Sequence, residues 1–265
     1  MRLQWDDLPA STRAAVAART GPIYAATTTD KGLNSEIAAT LDTPAGRIFV
    51  KGLRTDHPRA WTQRREAAIN PHVAGLAPRL LWTVRDAEWH LLGFEHLDGR
   101  PADYRPHSDD LPLVAEAIIT LSGVRAPGDL DLKHIEQRLA DYLDHPDDAA
   151  LLRGDTLLHT DWTPDNVLIA EGAARVVDWA WPTRGAAWID AACWVVWLIA
   201  AGHSPADAEL WAAKTPAWTT AAPRALDVFA TAQERLWRGI ADDAPEVPWK
   251  TGLAEAAHRW VTYRQ

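Results

Sequence analysis

Between Leu157 and Trp179, the 265-residue chain gathers side chains that could move a phosphoryl group. His159-Thr160-Asp161 is followed after four residues by Asn166, then by a turn at Glu171-Gly172, then by the apolar pair Val176-Val177 before Asp178. Phosphoryl transfer runs through a loose transition state, so a protein catalyses it by positioning the reactants and neutralising charge. One carboxylate must meet the attacking hydroxyl, and hard oxygen donors must hold Mg²⁺ on the phosphates. The proposed division is Asp161 as the base, with Asn166 and Asp178 as the metal ligands. The chain has only three asparagines, Asn34, Asn70 and Asn166, so abundance does not account for one at the required interval.

The segment resembles the catalytic and metal-binding loops of the aminoglycoside phosphotransferase and choline kinase-like family, and protein kinases share its Asp-to-Asn interval. The resemblance implies an α+β, bilobal protein-kinase-like fold, with an N-terminal lobe built on a five-stranded antiparallel sheet and a mainly helical C-terminal lobe. It also implies an activity: transfer of the γ-phosphate of ATP or GTP, with Mg²⁺, to a hydroxyl of a small molecule. A lysine is then required on the third strand, and Lys51 stands there, where its ammonium would reach the α- and β-phosphates. Glu66, the only acid between Pro58 and Val84, is its candidate partner.

The turn around Gly32 and Ser35 would cover the phosphates, since glycine permits close backbone approach and Ser35 offers a hydroxyl. It matches the family pattern by one glycine. Glu95-His96-Leu97-Asp98-Gly99-Arg100 resembles the family hinge, in which main-chain groups of Glu95 and Leu97 would bind the base edge, and Leu168 is placed with the nucleotide-contacting residues. Gly185-Ala186-Ala187-Trp188-Ile189-Asp190 resembles a Gly-Asp-Pro-x-x-Asp segment whose last acid braces the catalytic loop. Asp190 matches, whereas Ala186 and Ala187 depart from it. His159 is read as structural support, the base role belonging to Asp161.

The elements that must position these residues follow from apolar periodicity. Ile23 to Thr29, Ser35 to Asp42, Arg47 to Leu53, Arg79 to Arg85 and Glu88 to Phe94 are strand-like, with Phe49, Lys51 and Leu53 on one face of the third. Pro9 to Arg19 and Pro58 to Ile69 are helical. Beyond a hinge at about 95–101 the periods turn helical at Leu111 to Leu121, Leu132 to Leu143, Trp188 to Ala201, Ala206 to Ala213, Pro223 to Ile240 and Trp249 to Tyr263. Two strand-like stretches, Asn166 to Ala170 and Ala174 to Val177, flank Glu171-Gly172. The expected domains are a nucleotide-binding lobe over 1–96 and, over 97–265, a lobe carrying the catalytic loop and the substrate-binding helices.

The net charge of -9 speaks against nucleic-acid binding, which draws on basic surface. Residues 97–265 carry 26 acids against 15 Lys and Arg. A cleft lined by one sign of charge attracts the other, so a cationic acceptor such as an aminoglycoside or another amino alcohol is expected. Asp165, Asp207, Glu209, Asp227 and Glu234 are the candidate acids, with Trp211 and Trp237 able to offer ring faces. Their alternative is solvation of outer helix faces, with the tryptophans filling the core.

The single Cys193 sits in an apolar run and excludes an intramolecular disulfide. The N-terminal stretch has no apolar run after Arg2 and does not read as a signal peptide, and no stretch reads as a membrane helix, so a reducing cytoplasm is expected. Two other readings compete. His159-x-Asp161 with His203 or His258 could form the 2-His-1-carboxylate triad of an iron-dependent oxygenase, but that would leave Lys51, Glu66, Asn166 and Asp178 without roles. A catalytically silent kinase-like nucleotide-binding protein is the other, although such a protein has usually lost the base, the lysine or a metal ligand. The short interval from Asp178 to Asp190 suits a small-molecule acceptor better than a protein.

Overall fold

The β-branched and aromatic runs of the first hundred residues pair as strands, because such side chains pack well on a pleated, half-buried surface. A computed structural model describes residues 3–29 and 35–265. They divide into two units, Met1–Gly99 with Arg175–Trp181, and Arg100–Ala174 with Pro182–Gln265.

The first unit carries an antiparallel sheet of five strands, β1 (Ala25–Thr28), β2 (Ile37–Thr43), β3 (Gly46–Arg54), β4 (Leu80–Arg85) and β5 (Trp89–Glu95), in the order β1-β2-β3-β5-β4. In the central β3, Lys51 pairs with Ala38 on β2 and with Leu92 on β5. Because side chains alternate along a strand, Val50 and Lys51 point to opposite faces. Val50 joins Trp5, Leu8, Val16, Ile37, Leu41, Trp89 and Leu91 in a buried core that includes Val16 of α1 (Ala10–Thr20). Gly93, opposite Val50, leaves room on this face for the Trp82 indole, since a Cβ there would lie 2.2 Å from the ring. Helix α2 (Trp61–Ile69) follows β3, and the turn after it is held by Asn70, whose side chain bonds Pro78 O and Leu80 N at 2.8 Å each. Arg175–Trp181 belongs to this unit: Val176 N donates to Leu76 O at 2.7 Å, and the Arg175 guanidinium to Gly75 O.

The second unit is mainly helical. Its long helices are α3 (Leu111–Ser122), α5 (Ile189–Ala200), α6 (Pro205–Ala212), α7 (Pro223–Asp242) and α8 (Pro248–Arg264). α5 is buried almost throughout, as its unbroken apolar sequence requires, and packs against α3, α6, α7 and α8. No helix among the described residues is long and apolar enough to cross a membrane.

Leu132 to Leu143 departs from the expected single helix. Lys133 and His134 instead form a short strand, β7 (Lys133–His134), pairing in parallel with β11 (Thr183–Gly185), which also pairs with β8 (Thr156–Leu158). Only one α-helical turn, α4 (Ile135–Arg138), follows, then a 3₁₀ turn at Ala140–Tyr142. The sheet partner takes the first residues of the segment, and a helix cannot include them. β6 (Arg100–Pro101) pairs with Ile169 and Leu168 of β9 (Val167–Ala170), which leads through the turn at Glu171-Gly172 into β10 (Ala173–Val176).

Candidate active site

In the first unit, three of the expected residues meet. Lys51 Nζ lies 2.7 Å from Glu66 Oε2 and 2.8 Å from Asp178 Oδ1. β3 supplies the lysine from the centre of the sheet, α2 supplies Glu66 from its second turn, and Asp178 follows the segment anchored at Leu76. Glu66 Oε1 also accepts the backbone N–H of Trp179 at 3.1 Å, so one glutamate holds both the lysine and the chain just after Asp178. Asp178 has φ 63, the left-handed region uncommon for a non-glycine residue.

Burial works against charging Lys51, but Asp178 and Glu66 outweigh it and push the ammonium well above its ordinary value. Burial pushes the Glu66 carboxyl up, and the Asp178 charge adds to this against Lys51 and the Trp179 N–H. Burial is the leading cause, and sharing one cation with Asp178 adds to it. In the same unit, the Trp61 and Trp181 rings meet edge-on at 4.7 Å, and Arg65 lies 4.7 Å from the Trp61 ring, packing α2 against the chain beyond Asp178.

In the second unit, the loop between β8 and β9 brings together His159, Asp161, Asn166 and Asp190. Asp190, in the first turn of α5 and 2 % exposed, accepts the backbone N–H of His159 at 3.0 Å and that of Thr160 at 2.8 Å. Burial raises its carboxyl, against the Trp162 indole, those two N–H groups and His159. His159 is buried, and its ring Nδ1 accepts the Asp161 N–H at 3.3 Å. Asn166 Nδ2 donates to Asp161 Oδ2 at 2.9 Å and to its backbone O at 3.3 Å. Asp161 itself is exposed.

Two residues that the sequence did not nominate stand beside this loop. Arg138, the last residue of α4, donates to Thr160 Oγ1 at 2.8 Å and to Thr183 Oγ1 at 2.5 Å. Tyr104 is buried, its hydroxyl has no hydrogen-bond partner, and burial together with the Asp161 charge pushes its phenol well up. Both lie far from the motif in sequence, and no sequence pattern ties them to it.

The other nominated residues are distributed as follows. Gly32 lies outside the described residues, and Ser35 is half-buried ahead of β2. Glu95 ends β5; its N–H is donated to Arg79 O at 2.9 Å, and Leu97 follows two residues later. Leu168 is half-buried in β9. Asp165 is exposed, one residue before Asn166. Asp207 bonds Ser204 in the first turn of α6, with Ser204 Oγ donating to Asp207 Oδ2 at 2.6 Å. Glu209 accepts from Arg264 and from Trp260 Nε1, Asp227 from Arg264 Nε at 2.7 Å, and Glu234 from Arg238 at 2.6 Å, with the His258 ring at 2.8 Å. Trp211 packs edge-on to Trp194 with Lys214 over its ring, and Trp237 packs against Trp197 and Trp249. The histidines of the iron alternative are engaged elsewhere, His203 with Tyr104 O at 2.9 Å and His258 with Glu234. Among the described residues, no three His, Cys, Asp or Glu side chains gather into a metal-binding group.

Comparison with known proteins returns no matching family model. No curated protein matches the sequence. Solved structures do match. Choline kinase LicA from Streptococcus pneumoniae aligns over 95% of this chain and 97% of its own at 10% identity, with a TM-score of 0.67, and has also been solved with AMP. An aminoglycoside phosphotransferase from Alicyclobacillus acidocaldarius aligns over 97% and 96% at 12% identity, with a TM-score of 0.63. Macrolide 2'-phosphotransferase MphH from Brachybacterium faecium aligns over 94% and 98% at 15% identity, with a TM-score of 0.60. The five-stranded sheet followed by a mainly helical part, matched over nearly the full length of these proteins, gives the chain the protein-kinase-like fold that they share.

Proposed function

We propose that the protein is a small-molecule kinase that transfers the γ-phosphoryl group of ATP or GTP to a hydroxyl. The observation that carries this reading is the buried Lys51, held by Glu66 at 2.7 Å and by Asp178 at 2.8 Å. A buried cation with two carboxylates is weak as a stability device. It is well suited to presenting a fixed ammonium to phosphate oxygens, as phosphoryl transfer requires. The AMP complex of the choline kinase of similar fold supports ATP as the donor.

In this proposal Lys51 binds the α- and β-phosphates and Glu66 orients it. Asn166 and Asp178 would hold Mg²⁺; an amide carbonyl and a carboxylate are the hard oxygen donors this ion takes. The bond from Asn166 Nδ2 to Asp161 supports that fit, because it directs the amide nitrogen to the base and keeps the carbonyl oxygen for a cation. When bound, Mg²⁺ supplies charge neutralisation on the phosphates. Asp161 accepts the proton of the attacking hydroxyl, and Asp190 and His159 hold the loop that carries it. Main-chain groups at Glu95 and Leu97, with Leu168, serve the nucleotide base, and Ser35 and Gly32 the phosphates.

For the acceptor, the acidic balance of residues 97–265 favours a cationic alcohol. Glu209, Asp227 and Glu234 are engaged by Arg264 and Arg238, so the attraction rests on net charge and not on a preformed row of carboxylates. The proposed lobes are 1–96 for nucleotide binding and 97–265 for the catalytic loop and the substrate-binding helices, with Arg175–Trp181 grouping with the first unit, in a cytoplasmic enzyme without nucleic-acid or membrane partners. Purified protein with Mg²⁺ and ATP, screened against amino alcohols, aminoglycosides and sugars, should give products heavier by one phosphate. Nucleotide that neither binds nor turns over would contradict the reading.

A further inference from the structure

Thr160 has φ 70. A β-branched residue in the left-handed region is an outlier that persists only where its surroundings over-determine it. Two contacts do so. The backbone N–H is fixed by Asp190 Oδ1 at 2.8 Å, and the side-chain Oγ1 accepts from Arg138 Nη1 at 2.8 Å. The same nitrogen reaches Thr183 Oγ1, which is fully buried on β11, the strand that pairs with β8. Arg138 therefore ties α4, β11 and the loop together at the residue directly before Asp161.

Glycine would take φ 70 without strain, but it has no hydroxyl for the guanidinium to hold. Threonine accepts the strain and gains the bond. The charge of Arg138 also acts on its surroundings: burial pulls its guanidinium below its ordinary value, and Cys193, Asp161 and Asp190 oppose that pull.

We infer that Arg138 is a positioning residue for the proposed base, latching the strained Thr160 through its hydroxyl and so setting the direction of Asp161. The inference rests on the kinase reading for its catalytic consequence, but not for the latch itself. A latch predicts a dependence that ordinary packing does not. Once Thr160 is glycine, the backbone conformation costs nothing to hold, and Arg138 becomes dispensable.

The test follows hydrolysis of Mg·ATP with water as acceptor, together with amide hydrogen exchange at residues 159–161. Arg138→Gln and Thr160→Val should each lower kcat about tenfold or more, with KM for ATP within about twofold, as expected when a reacting group is misplaced and nucleotide contacts are kept. Thr160→Gly with Arg138→Gln should stay within about threefold of Thr160→Gly alone, the non-additivity of residues acting as one unit. Exchange at the Thr160 amide should quicken in Arg138→Gln and in Thr160→Val. Equal losses from Arg138→Gln in the threonine and glycine backgrounds, or a KM that rises in step with the fall in kcat, would overturn the latch. If the wild type hydrolyses no nucleotide, the exchange arm decides alone: unchanged protection of the Thr160 amide in both single variants overturns the inference, whereas the kinase reading fails only if nucleotide neither binds nor turns over.

Discussion

Asn166 donates its side-chain amide to Asp161 Oδ2 at 2.9 Å, joining the two ends of the four-residue interval that separates them in sequence. In the proposed mechanism Asn166 would have two tasks, orienting the base and offering an oxygen to a cation, whereas Asp178 would offer a single charge that it shares with Lys51. The two residues should therefore fail differently.

Asp178→Ala should weaken Mg²⁺-dependent ATP binding about tenfold or more, roughly 1.4 kcal/mol, because it removes a full negative charge beside the ion. Asn166→Ala should weaken binding less but lower kcat more steeply. ATP titrations with and without Mg²⁺, read beside turnover, check both. Equal ATP affinity of wild type and Asp178→Ala at saturating Mg²⁺ would remove Asp178 from the metal site.

Lys51→Met leaves Glu66 buried with no cation, and removing one partner of a buried pair costs about 3–5 kcal/mol. Denaturant unfolding should register that loss. ATP affinity should fall with it, while Asp161→Asn should leave affinity nearly intact.

Glu66 gives a pH signature. Its folded carboxyl is raised, so the folded state holds that proton more tightly than the unfolded chain. The stability this group contributes is present below its unfolded value, about 4.3, and is lost as pH rises through the higher folded value. Glu66→Gln cannot ionise, so its stability relative to wild type should climb with pH from near 4.3 upward. Thermal unfolding of both proteins across that range should show the gap changing, and a gap independent of pH would contradict the assignment.

Gly93→Ala tests the packing behind Lys51. The new Cβ would lie 2.2 Å from the Trp82 ring, whose bulk cannot move aside without disturbing the core below it. Overpacking of this kind costs about 1–3 kcal/mol, and a matching drop in unfolding free energy is expected.

How far the sequence could be read depended on the range of the physics. The five strands and the long helices were legible because periodicity is local. The pairing of Lys51 with Glu66 was legible because Glu66 is the only acid between Pro58 and Val84, whereas the contact of Lys51 with Asp178, 127 residues away, was not. Nor was Arg138. Its partners Thr160 and Thr183 lie 22 and 45 residues away and form no motif with it. The helix read over Leu132 to Leu143 yielded to a strand pairing that only β11 could impose. Glu209 and Asp227 looked like substrate carboxylates because their shared partner, Arg264, stands at the far end of the chain.

The most direct test follows the γ-phosphate itself. Wild type and Asp161→Asn are incubated with Mg²⁺ and γ-labelled ATP against a panel of hydroxylated amines, and label is read in product by mass spectrometry. Wild type should label at least one alcohol, and Asp161→Asn should bind ATP normally while losing about 10²–10⁴-fold in transfer, the range for removing a general base. Transfer retained in Asp161→Asn would contradict the account.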